Sequence, residues 1–169
     1  MEASAIASRE TDIFGNLSGK SVSEWLDKRI ANSTIVHVNI IAGTSTFIAV
    51  ALNEPEKDMI VRLTDGHDLF APDVLPFEIG NALTAMMKRN VLNPEEVISA
   101  WKMVQRIPVD LRRIDLGDAL KIATRYNIYA YDAYFLECAL NLHCPLLTLD
   151  RRMRVIAENL GIQVLEEKG

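Results

Sequence analysis

Short apolar runs alternate with amphipathic segments from residue 34 onward, and this alternation is the feature that most constrains the fold. Residues 34–42 form a nearly continuous run rich in Ile and Val, which is typical of a strand buried on both faces. Further strands are predicted at residues 68–71, 109–114, 146–149 and 162–165. Strands separated by helices favour right-handed crossovers. The sequence therefore predicts an α/β protein with three layers, α/β/α, around a central, mainly parallel sheet.

Helical periodicity and end signals place helices between these strands. The clearest start is Asn93, a capping residue that is followed by Pro94 and two glutamates. Gly161 is a clear stop. The helices are predicted at residues 47–52, 56–63, 78–89, 94–106, 117–126, 132–142 and 152–160.

The chain divides into an N-terminal extension, residues 1–33, and an α/β domain, residues 34–169. In the extension, Ser21 and Glu24 fit a capping box that precedes a short amphipathic helix. This helix either packs on the domain's own surface or forms an arm that binds a partner or covers the protein itself. The third alternative is that the segment is an artefact of a reading frame begun too far upstream. Its apolar face consists of Val22, Trp25, Leu26 and Ile30.

Charge and composition exclude several classes of protein. The net charge of −5 argues against a generally basic protein that coats nucleic acid, although bound metal ions can reverse the field locally. No apolar run approaches the length of a membrane helix, and no secretory signal opens the chain, so we expect a cytoplasmic protein without a membrane span. Cys138 and Cys144 are poorly spaced for zinc and are expected to be small buried hydrophobes.

Three carboxylates, Glu78, Asp132 and Asp150, lie where an apolar run gives way to a helix, and a fourth such junction carries Gly43. Asp150 and Asp132 are each explained by a helix cap or a first-turn position, whereas Glu78 is less easily explained as a cap. Ligands of parallel sheets bind beyond the carboxyl ends of the strands, however, so these acids can meet. Carboxylates gathered in one pocket repel one another and require a cation or shared protons. Oxygen ligands favour Mg²⁺ or Mn²⁺, which suits phosphoryl transfer.

Four stretches resemble the motifs of PIN-domain proteins, in the same order. Residues 45–56, STFIAVALNEPE, resemble the opening helix of that family. The later motifs are EIGNAL at residues 78–83, YDAYFL at 131–136 and LLTLDRR at 146–152. The similarity covers about residues 35–165 and is strongest to the small toxins of the VapC type.

This resemblance implies a Mg²⁺- or Mn²⁺-dependent endoribonuclease that acts on RNA, forms a homodimer and has a cognate antitoxin. It implies that Asp132 binds the metal directly and that Glu78 and Asp150 hold it directly or through water. It also implies that Asn81 orients Glu78 or a water, and that Ser45 occupies the hydroxyl position of the first motif.

The resemblance also identifies a departure at residue 43. The family's first strand normally ends in an Asp, and that position falls on Gly43, with no acid between Asp27 and Glu54 to replace it. Loss of an outer-shell metal partner typically costs about 10–100-fold in affinity or activity. We therefore expect weak metal binding and much reduced hydrolysis.

Other functions remain open at this point. The chain could be a non-catalytic module of the same fold that binds RNA or an antitoxin, and the extension could imitate an antitoxin segment in cis. A receiver-like phosphoacceptor would need a Lys that ends a late strand, and none is visible. Arg151 and Arg152 either contact RNA phosphates or form a solvated helix face. No aromatic ladder for stacked bases is evident, and core or dimer packing explains a tyrosine cluster formed by Tyr126, Tyr129, Tyr131 and Tyr134.

Overall fold

The structure is a computed structural model that describes residues 37–167. The amphipathic segment of the N-terminal extension and the first residues of the predicted strand at 34–42 lie outside the described residues. Between residues 37 and 167, no helix is both long enough and apolar enough to cross a bilayer.

The core of the described region is a parallel sheet with helices on both faces, as the sequence predicts. Its strand order is β3-β2-β1-β4, and every neighbouring pair is parallel. The near-continuous apolar run of β1 is explained by burial, since Ile40, Ile41 and Ala42 are almost fully enclosed. The strands are β1 (Asn39–Ala42), β2 (Asp68–Pro72), β3 (Asp110–Arg112) and β4 (Leu146–Leu147).

The predicted last strand at residues 162–165 is wrong. Val164 forms only an isolated parallel bridge with Leu146. Two backbone bonds make this contact, from Leu146 N to Gln163 O at 2.8 Å and from Leu165 N to Leu146 O at 2.9 Å. β4 itself has only two residues, so it offers little strand for residues 162–165 to pair with.

The predicted helices are all present, although some boundaries differ. The capping box predicted at Asn93 is complete, because Asn93 accepts from the Glu96 N–H and the Glu96 carboxylate accepts from the Asn93 N–H. The helix that carries Glu78 begins earlier than predicted, with Pro76 in its first turn. The helices are α1 (Thr44–Ala51), α2 (Lys57–Thr64), α3 (Leu75–Lys88), α4 (Pro94–Val104), α5 (Leu116–Tyr126), α6 (Ala130–Leu142) and α7 (Arg151–Asn159).

Cys138 and Cys144 are free and buried, as predicted for small hydrophobes. Burial raises the pKa of the Cys138 thiol to about 12, and it also raises the pKa of Cys144. Neither thiol is therefore suited to act as a nucleophile or as a metal ligand.

The carboxyl ends of β2, β1 and β4 lie side by side at one edge of the sheet. The chain leaves β1 toward β2 on one side and returns on the other side at β4. The end of β1 is therefore a switch point, the position where ligands of open parallel sheets bind. Gly43 follows β1 directly, while Glu78 and Asp150 follow the two neighbouring strands.

Candidate active site

Gly43 lies in the middle of this sheet edge. Its N–H donates to Leu147 O at 2.9 Å, and it stands at the N-cap of α1 with φ −73° and ψ 158°, an extended conformation open to any residue. A Cβ atom added at Gly43 would lie 3.1 Å from Thr148 Oγ1 and 3.3 Å from Thr148 Cβ. The backbone would thus accept a side chain, but Thr148 would have to yield.

Glu78 is a half-buried acid in the first turn of α3. The hydroxyl of Thr44, the first residue of α1, donates a hydrogen bond to Glu78 Oε2. Burial raises the pKa of Glu78; the bond from Thr44 opposes this shift, and the charge of Asp132 adds to it. Glu78 is thereby held by α1 and lies within electrostatic reach of α6.

Asp132 occupies the first turn of α6 and is also half-buried. It does not follow a strand. The preceding element is α5, and the short link from α5 to α6 begins with Asn127, which has a left-handed φ of 50°. Burial raises the pKa of Asp132; the Asp150 charge raises it further, and Arg152 opposes both. Asp132 is therefore the acid that interacts with both of the others.

Asp150 is the N-cap of α7, and its Oδ1 accepts from Met153 N at 2.8 Å. The explanation of this residue as a helix cap is therefore confirmed, although the same carboxylate also acts on Asp132. Asn81 lies one turn after Glu78 on α3 and is exposed. The charge of Asp132 thus acts on Glu78 and the charge of Asp150 acts on Asp132, whereas the side chain of Asn81 faces solvent.

Hydroxyl groups tie the ends of β1 and β4 together. Ser45 Oγ accepts from Leu149 N at 3.1 Å and lies 3.5 Å from Thr148 Oγ1. Thr148 Oγ1 in turn accepts from Asp150 N at 3.2 Å. Sequence reasoning identified Ser45 but missed Thr44 and Thr148. The available signal was their position, one residue after Gly43 and two residues before Asp150.

The arginines that follow Asp150 have different environments. Arg152 Nη2 donates to Asn127 O at 2.6 Å, so its guanidinium is fixed near the start of α6. Arg154 pairs with Glu166 at 2.8 Å. Arg151 is exposed and has no hydrogen bond or ion pair within residues 37–167. Of these three residues, Arg151 is the one with a charge available to a ligand.

A family model for the PIN domain matches residues 40–159. This chain belongs to the PIN-domain family. Among curated proteins it is similar to Ribonuclease VapC3 of Pyrobaculum aerophilum, with 23% identity over 121 residues, which cover 69% of this chain and 92% of that protein. Among solved structures it is similar to the crystal structure of PAE2754 from Pyrobaculum aerophilum. That match has a TM-score of 0.55 at 19% identity and covers 70% of this chain and 79% of the other, which confirms the predicted fold.

The acids of this PIN domain do not form a complete metal centre as they are placed. Within the described part of the chain, no group of three or more acidic, histidine or cysteine side chains is arranged to hold an ion. Gly43 contributes no ligand, Thr44 binds Glu78, and Asp150 caps α7. The remaining donor set, which consists of carboxylates that repel one another, fits a divalent ion in its chemistry but falls short in number.

Proposed function

We propose that this PIN domain is a VapC-like endoribonuclease, the toxin of a toxin–antitoxin pair, whose Mg²⁺- or Mn²⁺-dependent hydrolysis is impaired. The observation that carries this proposal is Gly43, which lies at the switch point of the sheet between the strands that lead to Glu78 and Asp150. The similarity to a protein named as a ribonuclease supplies the reaction class. The absent side chain at residue 43 supplies the reason for the impairment.

The proposed roles of the remaining acids follow their environments. Asp132 is the proposed principal metal ligand, because it interacts electrostatically with both Glu78 and Asp150. Glu78 and Asp150 are the proposed supporting ligands, either directly or through water. Asn81 is proposed to orient Glu78 or a water, and Ser45 to hold the loop before Asp150 through its bond from Leu149.

The partners and location are proposed on the same basis. RNA is the proposed substrate, and a cognate antitoxin is the proposed regulator. A homodimer is proposed to cover exposed apolar side chains such as Phe77 of α3 and Leu120 of α5. The family model begins at residue 40, in keeping with an extension at residues 1–33 that is separate from the PIN domain. The proposed compartment is the cytoplasm.

The decisive experiment restores the missing carboxylate. We expect Gly43→Asp to cleave a mixed panel of single-stranded RNA with Mn²⁺ or Mg²⁺, at a rate at least about 10–100-fold above the unmodified chain. Gly43→Asn is the matched control, because it adds a side chain of the same shape without the charge. Asp132→Asn in the Gly43→Asp background should abolish the gain.

Failure of this restoration would remove the nuclease proposal. If Gly43→Asp is folded, as judged by circular dichroism, and cleaves no RNA in the panel with either metal, position 43 is not what limits the chain. The same conclusion follows if Gly43→Asn gains as much activity as Gly43→Asp, because a neutral amide would then replace the carboxylate.

A second candidate function is a non-catalytic PIN module that binds RNA or an antitoxin. Two contacts favour it: Thr44 already binds Glu78, and Thr148 crowds the space where a side chain at residue 43 would begin. A module of this kind binds RNA equally well in EDTA and in Mn²⁺. It also gains no cleavage in the Gly43→Asp variant, so the experiment above separates the two functions.

A further inference from the structure

Tyr129 is the most exposed large aromatic residue of the described region. It stands at the N-cap of α6 with 84% of its surface exposed, and its side chain makes no capping hydrogen bond. Ser, Thr, Asp and Asn are preferred at this position, and their replacement costs about 1 kcal/mol. Within residues 37–167 the Tyr129 ring has no aromatic or hydrogen-bonding partner. Core packing, expected for the tyrosine cluster, therefore does not explain Tyr129.

The surroundings of Tyr129 connect it to the acids. It lies two residues after Asn127, whose carbonyl receives the Arg152 guanidinium, and three residues before Asp132. Arg151, exposed and unbonded in the described region, is adjacent to Arg152 at the start of α7. An exposed aromatic ring and an exposed guanidinium thus each belong to a residue within two positions of the contact between Asn127 and Arg152.

Tyr131 behaves differently from Tyr129. It is 42% exposed, and its ring packs edge-on against Tyr134 with centroids 5.6 Å apart and an interplanar angle of 74°. This contact fixes Tyr131 against α6, so it has a structural explanation. Of these two tyrosines, only Tyr129 has a ring without an aromatic contact among residues 37–167.

We propose that Tyr129 stacks on an unpaired base of single-stranded RNA while Arg151 binds a phosphate of the same strand. Every base presents a flat face to an aromatic ring, and guanidinium groups bind phosphate oxygens. The net charge of −5 makes such a local cation necessary for a polyanionic ligand. A duplex keeps its bases stacked inside and cannot use the ring. This inference rests on the proposed function and assigns two residues that bind its substrate.

The test measures binding rather than cleavage. The full chain is titrated into a fluorescently labelled, mixed-sequence single-stranded oligoribonucleotide in EDTA, and anisotropy is recorded. Stacking on an aromatic side chain contributes about 1–3 kcal/mol per base, so Tyr129→Ala should lose about 5- to 140-fold in affinity. Tyr129→Phe keeps the ring and should bind like the parent.

Two further arms identify stacking as the cause. An oligoribonucleotide of the same length without bases should bind the parent weakly, and Tyr129→Ala should weaken it no further. The matched control is Val91→Ala, which truncates a side chain with 59% exposure beyond the far end of α3 and should leave affinity unchanged. Arg151→Gln should weaken both kinds of RNA and reduce the salt dependence of binding.

The possible failures are distinguishable. If the parent binds single-stranded RNA and Tyr129→Ala binds it equally well, the stacking role is overturned while the proposed function stands. Equal losses with base-free RNA, or with a base-paired RNA duplex titrated in the same way, also overturn it. If the parent binds no RNA at low ionic strength, the proposed function fails and this inference fails with it.

Discussion

Substitution of Gly43 by Ala is the most direct test of how closely the Thr148 side chain packs against Gly43. The new Cβ atom would lie 3.1 Å from Thr148 Oγ1 and 3.3 Å from Thr148 Cβ, against about 3.5–4.0 Å for an optimal carbon contact. Thr148 is only 3% exposed and is β-branched, so it has few alternative rotamers. Its hydroxyl also accepts from Asp150 N, which opposes any rotation.

The size of the effect follows from two opposed contributions. Replacement of Gly by Ala at a compatible backbone conformation stabilises a protein by about 0.4–1 kcal/mol, and the extended conformation of Gly43 is compatible. Overpacking a well-filled site costs about 1–3 kcal/mol. We therefore expect Gly43→Ala to lower the free energy of unfolding by about 1 kcal/mol. In a Thr148→Ser background the side chain lacks its γ-methyl group and can rotate, at the cost of the bond from Asp150 N, so the same substitution should be about neutral.

The assay is urea unfolding of the parent, the two single variants and the double variant, followed by circular dichroism. The expected coupling free energy is about 1 kcal/mol, above the roughly 0.3–0.5 kcal/mol scatter of independent sites. Gly80→Ala is the matched control, since a Cβ atom there meets nothing within 4 Å. It should stabilise α3 and add independently to Thr148→Ser. Additive effects at Gly43 and Thr148 would refute the steric argument. A positive result predicts that Gly43→Asp recovers more activity when Thr148→Ser accompanies it.

Three further predictions follow from the same region and from the core. Because the pKa of Glu78 is raised in the folded state, stability is lost as pH rises through that pKa, and Glu78→Gln should raise the melting temperature more at about pH 7 than at about pH 4; equal increments at both pH values would contradict this. Ser45→Ala leaves the Leu149 N–H without its acceptor and should lower the free energy of unfolding by about 1 kcal/mol in urea titrations, whereas no change would show that water replaces the hydroxyl. The Cys138 thiol, with a pKa of about 12, should react with a disulfide reagent at mildly alkaline pH only after unfolding, and rapid native labelling would contradict its burial.

The fold was predictable where local sequence and burial agree. The capping box at Asn93 depends on residues three apart, so the sequence contains all of it. The strand that ends at Ala42 is buried on both faces, and its apolar run predicts this burial. The last strand could not be judged in this way, because its length depends on β4, and β4 offers a single bridging residue, Leu146. Apolar runs predict burial, while ladder length depends on the partner strand.

Motif order selects Glu78, Asp132 and Asp150 from the sequence, and their role in a metal site stays a prediction. The contacts around them were not predictable, because the bond from Thr44 to Glu78 joins two helices that meet only in the folded chain. The environment of Glu137 could not be predicted from the sequence either. It lies in the apolar helix α6, is 4% exposed, and its Oε2 is buried without a partner in the described region. Burial raises the pKa of Glu137, and the spacing of residues in the sequence does not predict this burial.

The position of Gly43 is compatible with the proposed loss of activity in an intact fold. The sheet uses only the backbone of this residue, through its N–H bond to Leu147 and its carbonyl, which accepts from Thr46. A metal-dependent site uses only the side chain. Two carboxylates about 4 Å apart repel by roughly 4 kcal/mol at an effective dielectric of 20, so a further acid beside Glu78 and Asp132 would destabilise the metal-free protein. Glycine at residue 43 removes that repulsion and leaves every strand pairing intact. The folded state therefore tolerates glycine at residue 43, and stability alone does not favour an acid at this position.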